Sequence, residues 1–203
     1  MKHYLDTEYI ECAKQRTMLG FNVGPPVPTI DLISIGMVAE DGRELYLLNA
    51  DCELRYAWDN EWVRDNVLRA IWNEHTTPAM KYGQFGEFSF RRMKAIFKQK
   101  GKSKPALASA ILKFVQEAPV AKHSFYGYFS DYDWVVFCQL FGRMIDLPHG
   151  FPMYCLDLKQ EMKRLEAPDT IKPNNGNEHN ALADARWNKL LHNRLLAQYP
   201  SVA

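Results

Sequence analysis

The 203 residues carry 25 Lys+Arg against 24 Asp+Glu, a formal net charge of +1, with 47% hydrophobic and 24% charged side chains. Those proportions exclude a disordered chain, a collagen-like repeat and a disulfide-dense scaffold. Near neutrality also excludes a protein that coats nucleic acid through bulk charge, so any polyanion has to be held by local groups. The length predicts a single domain, residues 1–203, able to bury a core without staples. Cys12, Cys52, Cys138 and Cys155 are scattered and form no C-x-x-C pair, which argues against a zinc knuckle and a secreted framework. Acidic residues follow Met1 too soon for a signal peptide, and no apolar run is long enough for a membrane span. The expectation is a soluble, reduced, cytoplasmic protein with no membrane partner.

In chain order, His3 to Ile10 is aromatic and β-branched enough for a strand. Gly20 to Thr29, with Gly24, Pro25, Pro26 and Pro28, is too rich in breakers for regular structure and predicts a loop. Leu32 to Ala39 and Glu44 to Asn49 then form a hairpin about Asp41-Gly42. Apolar residues at helical spacing predict a helix over Trp58 to Trp72. Further helices are predicted over Phe90 to Lys100 and Pro105 to Glu117, a short strand over Ser124 to Phe129, and a helix over Asp131 to Asp146. After a second loop, Pro168 to Asn177, a last helix starts near His179 and runs to about Gln198. Strands first, then helices around one more strand, predict an α/β fold with a mixed sheet flanked by helices.

Asp6 and Glu8 sit two apart in the first strand, so both carboxylates share one face while Leu5, Thr7 and Tyr9 take the other. Two like charges on one face are costly to desolvate, and a divalent cation between them removes the cost. An edge strand with both carboxylates in water explains the same pattern. Asp184 shares a helical arc with Ala181, Trp187, Leu191 and Leu195 at about 100° per residue, while Arg186, Lys189 and Asn193 lie opposite. An aspartate centred on an apolar stripe either pairs with a buried base or binds metal. His179 opens that helix, either as a general base or as a surface residue beside a cap such as Asn177. Asp133 falls in Ser130-Asp131-Tyr132-Asp133, whose spacing also reads as a capping box with Ser130 as the cap.

Taken together, D-x-E near the N-terminus, an Asp opening a helix after an aromatic strand, and His-x4-Asp near the C-terminus resemble the DEDDh family of 3′–5′ exonucleases. Local stretches carry the likeness towards its polyadenylate-specific exoribonuclease AS group. They are Leu5-Asp6-Thr7-Glu8, Leu32 to Val38, Trp62-Val63-Arg64, Tyr132 to Val136, and His179 to Arg186. The resemblance implies a ribonuclease H-like fold in which Asp6, Glu8, Asp133 and Asp184 hold two Mg²⁺ or Mn²⁺ ions. It also implies that His179 is the general base, that Glu8 serves as a catalytic carboxylate as well as a ligand, and that the assembly is a homodimer. The second-motif acid aligns through Tyr132-Asp133, so Asp131 is expected to point away, about 200° round the helix.

Such a site implies 3′–5′ hydrolysis of single-stranded RNA to nucleoside 5′-monophosphates, with adenine-rich 3′ tails a candidate substrate. DNA ends, or a non-catalytic nucleic-acid-binding module of the same fold, are the alternatives. Arg91, Arg92, Lys94, Lys98, Lys100, Lys102 and Lys104 make a basic run that is either a solvated face or a grip on the RNA backbone, with Arg91, Arg92 and Lys98 as the named candidates. Tyr9, beside the acid pair, is placed to stack a terminal base. Trp62 and Trp187 are expected in the core.

Overall fold

The computed structural model describes residues 1–76, 87–118, 122–174, 176 and 178–200. Its main sheet has five strands in the order β5-β4-β1-β6-β7. These are β1 (Lys2–Lys14), β4 (Val27–Ala39), β5 (Glu44–Leu48), β6 (Ser124–Gly127) and β7 (Leu156–Asp157). β1 pairs antiparallel with β4 and β4 with β5, whereas β1–β6 and β6–β7 are parallel, so the sheet is mixed. Antiparallel neighbours need only tight turns, and the Asp41-Gly42 turn closes one of them, with Ala39 N–H donating to Arg43 O at 2.8 Å. The parallel strands arrive after helical crossovers.

Period-two alternation along β1 sorts its side chains between two helical layers. Leu5 points into a core built with α5 (Lys104–Gln116) and α6 (Asp131–Gln139), where Ile111, Phe125 and Phe137 are fully buried. Removing each such side chain from water contributes about 1.5–3 kcal/mol. Tyr4 points the other way, onto Leu182 and Ala185 of α8 (Ala181–Gln198). That face also carries Ile10, packed with α1 (Leu54–Asp59), the helical run of α2 (Glu61–Val63) and α3 (Arg69–His75), and α4 (Phe90–Lys100). The remaining helix, α7 (Leu158–Arg164), packs Leu158 and Met162 against Leu191 and Leu195 of α8.

Several sequence expectations need correction. The Pro-rich loop is shorter than expected: β2 (Thr17–Met18) and β3 (Phe21–Asn22) form a small hairpin that reaches into it, and β4 already begins at Val27, leaving residues 23–26 without strand. Leu19 and Gly20, both at positive φ (51° and 82°), make its two-residue turn, a geometry that glycine accepts without strain. Prolines are tolerated at a strand's first residues, where few ladder donors are needed. The predicted helix over Trp58 to Trp72 is broken at Asn60, which is extended and caps α2 by accepting from Val63 N at 3.0 Å. Between α2 and α3 the run widens into a π-helical turn, Arg64–Leu68. α6 ends at Gln139, and a separate 3₁₀ turn, Met144–Asp146, covers the end of the predicted helix. β7 and α7 lie in a stretch with no predicted element. The cap of α8 is Asn180, which accepts from Ala183 N; Asn177 lies outside the described residues. Opposite the stripe, Arg186 is exposed and Lys189 half-buried, and both have partners. Arg186 pairs with Glu44, and Lys189 Nζ donates to Ala39 O at 2.8 Å. Among the described residues, no helix is long and apolar enough to cross a membrane.

Candidate active site

A cleft of about 790 Å³ opens along the middle strand of the sheet, lined by residues 6–11 of β1. Asp6 and Glu8 share the face of β1 that Tyr4 presents to α8. One oxygen from each of Asp6, Glu8 and Asp184 lies within 4.8 Å of the other two. Two local features bring α8 so close. Gly36, the register partner of Asp6, presents no side chain, and a Cβ there would lie 2.2 Å from the Ala181 carbonyl carbon. Asn188, fully buried one turn beyond Asp184, donates Nδ2–H to Leu5 O at 2.9 Å and pins the helix to β1. A β-bulge lies beside the acids: Glu8 pairs with Ser34 and Tyr9 with Leu32, leaving Ile33 as the extra residue of β4. Bulges of this kind re-aim strands at the edges of sites.

Asp133 comes from the opposite helical layer. Thr7 faces α6, and its backbone N–H donates to Asp133 Oδ1 at 2.9 Å while its hydroxyl donates to the same oxygen. The capping box is therefore not formed: Ser130 makes no side-chain cap and instead donates its N–H and hydroxyl to Asp157. Asp133 is buried and lines the cleft, whereas Asp131 is exposed and is not among the lining residues.

Crowding four carboxylates makes ionisation costly. Burial, then Asp133, Glu8 and Asp184, hold Asp6 well above the usual carboxylate range, although part of its surface is still open to the cleft. Burial, then Asp184 and Asp133, push Glu8 up to about 8. Burial raises Asp133 to about 6 against the opposing hydrogen bonds from Thr7. An all-oxygen donor set under mutual repulsion suits a hard divalent cation of the Mg²⁺ or Mn²⁺ kind, and offers none of the nitrogen or sulfur that zinc favours.

His179 lines the same cleft at φ 65°, in the residue before the Asn180 cap. Its imidazole meets the Trp62 ring edge-on, with centroids 4.8 Å apart and planes at 75°. Trp62, expected in the core, is 56% exposed and forms a cleft wall. Trp187 divides its surface between the core and the cleft, and its indole N–H donates to Pro173 O at 2.8 Å. Tyr9 lines the cleft edge-on to Tyr132. Arg91, Arg92 and Lys98 lie on α4 and are not among the lining residues; Lys104, at the end of the basic run, pairs with buried Asp31 at 3.0 Å. The sequence reading missed Asn60, Phe129, Lys172 and Asn188 as lining residues. Only Asn188 left a signal, as a second polar residue one turn after Asp184 on the same apolar stripe.

The family profile of the 3′-5′ exoribonuclease Rv2179c-like domain matches residues 17–196. The chain belongs to this family. Two relatives from Mycobacterium tuberculosis are the 3′-5′ exoribonuclease Rv2179c of strain H37Rv and the 3′-5′ exoribonuclease MT2234.1 of strain CDC 1551. Each is 28% identical over 186 residues, which is 92% of this chain and 88% of the relative. The matched range contains Asp133, His179 and Asp184. Asp6 and Glu8 precede it and join them through β1, whose central place in the sheet puts both helical layers within reach.

Proposed function

We propose that the cleft is the active site of a metal-dependent 3′–5′ exoribonuclease of DEDDh type, built on a ribonuclease H-like fold, that releases nucleoside 5′-monophosphates from single-stranded RNA. The observation that carries this reading is the convergence of Asp6, Glu8 and Asp184 beside His179, in a chain whose family is described by 3′-5′ exoribonuclease activity. Asp6, Glu8, Asp133 and Asp184 would hold two Mg²⁺ or Mn²⁺ ions. When bound, such a pair supplies charge neutralisation at the attacking and leaving oxygens of an in-line displacement. The rest falls to the chain's own side chains. His179 takes a proton from the attacking water on an unprotonated imidazole nitrogen, and the edge of Trp62 holds the ring in place. Thr7 fixes the Asp133 carboxylate by two donated hydrogen bonds, so that the fourth ligand does not have to be ordered when the strand binds. Trp62, Phe129 and Tyr9 give the cleft aromatic surfaces for unpaired bases.

The test is incubation with Mg²⁺ and end-labelled single-stranded RNA and DNA homopolymers. Stepwise loss of nucleotides from the 3′ end of RNA is expected, fastest on adenine tracts. No release from any RNA overturns the reading, and faster release from DNA replaces the substrate.

Metal binding has its own signature in stability. Glu8 rises from 4.5 in the unfolded chain to about 8, and Asp133 from 3.8 to about 6. The cation-free folded protein therefore holds protons that the unfolded chain releases. The stability contributed by this cluster is complete at low pH and is lost as pH rises through the folded values. A divalent cation replaces those protons. Mg²⁺ or Mn²⁺ should raise the Tm more at about pH 8 than at about pH 5; equal shifts at both would overturn the carboxylate cluster as the cation site. A homodimer belongs to the same reading, supported by the apolar hairpin arm, where Leu19 is 91% and Phe21 76% exposed. A monomeric mass in light scattering would remove that part alone.

A further inference from the structure

Among the described residues, six carboxylates line the cleft, because Glu11 and Glu178 join the four acids already described. Two divalent cations do not balance six negative charges, and each nucleotide of an entering strand adds another. Among the described lining residues, Lys172 is the only lysine or arginine. It lies in a segment that reads from sequence as a featureless loop, yet its backbone is tied down at three points. Arg194 Nη1 donates to Ile171 O at 3.1 Å and to Lys172 O at 3.0 Å, and the Trp187 indole N–H donates to Pro173 O. Both anchoring side chains belong to α8, the helix that carries Asp184, so Lys172 and the acid cluster are held in one frame.

The ammonium group is also placed, not loose. It lies 2.8 Å from Asp169 Oδ1 and 5.6 Å from the centre of the Tyr128 ring, with 30% of the side chain exposed. Asp169 is 75% exposed and has a second cation, Lys159, at 3.9 Å. Its charge therefore stays partnered if Lys172 turns towards another anion, and little is lost in the exchange because an exposed pair is weak.

We infer that Lys172 binds a backbone phosphate of the RNA strand in the cleft, with Asp169 as the counter-ion that the phosphate displaces. This rests on the exoribonuclease reading for the identity of the strand. A lysine suits the task as a compact point charge that reads no sequence, in keeping with an enzyme that must step along a chain.

The experiment measures polarisation of a labelled oligoribonucleotide whose 3′-terminal linkages are phosphorothioate, to slow cleavage, across a salt series. Lys172→Gln should weaken binding and make the plot of log Kd against log salt shallower by about 0.7, the loss of one single-strand phosphate contact. Lys172→Arg should restore both, and Asp169→Asn should tighten binding by freeing the ammonium group. An unchanged slope in Lys172→Gln overturns the inference, including the case in which binding falls only alongside the Tm. The two readings fail separately: absence of RNA cleavage by the wild type overturns the exoribonuclease, while the salt slope alone decides Lys172.

Discussion

His179→Ala should lower kcat by roughly 10²–10⁴-fold while leaving divalent-cation binding largely intact. The imidazole lines the cleft beside the carboxylates, but the oxygen cluster is complete without it. Its loss therefore removes a proton acceptor and no ligand. Asp184→Ala should behave differently, losing cation affinity and turnover together, because it takes one of three oxygens within 4.8 Å of one another. Added imidazole should recover part of the His179→Ala rate and none of the Asp184→Ala rate, since a small base can enter the space left by the ring but cannot replace a fixed carboxylate. Single-turnover kinetics on end-labelled RNA, with cation binding followed by calorimetry, separates these outcomes. Near-normal turnover in His179→Ala would return His179 to a surface residue next to the Asn180 cap and would weaken the DEDDh reading more than any other result.

The largest structural effect is expected from Gly36→Ala. The added Cβ would lie 2.2 Å from both the carbonyl carbon and oxygen of Ala181 and 2.3 Å from Leu182 N. All three are backbone atoms, so no side chain can swing aside, and the first turn of α8 must lift off the sheet. Overpacking of this kind costs about 3 kcal/mol or more. In a chain of this length that lowers the Tm by about 6–12 °C. The displacement also has a direction. Gly36 pairs with Asp6, and the helix it supports carries Asp184, so lifting the helix separates two members of the cluster. A Gly36→Ala protein studied below its melting temperature should therefore show weakened cation binding and reduced turnover, not merely a lower Tm. Wild-type melting would mean that α8 does not need the close approach.

Several parts of this arrangement are legible in the chain as written. A strand's period of two places Asp6 and Glu8 on one face, and a helix's period of 3.6 places Asp184 on the buried stripe and turns Asp131 away from Asp133. Asp41-Gly42 marks its hairpin without help from the rest of the fold. Each of these depends only on residues adjacent along the backbone, where bonded geometry sets the direction of every side chain. The remainder depends on contacts between segments far apart in sequence. Ser130-x-x-Asp133 has the spacing of a capping box, but Thr7, 126 residues away from Asp133, supplies two better-placed donors and takes the carboxylate for the cleft. Trp62 has the composition of a core residue, but the break at Asn60 rotates it to the wall beside His179. Lys172 has no local signal; Arg194 and Trp187 on α8, with Ile171 packed against Leu191 and Leu195, hold its segment at the cleft. Local periodicity decides which way a side chain faces. Which side chains meet across the cleft is decided by the Ile33 bulge and by the close approach that Gly36 permits, because packing between layers sets their register.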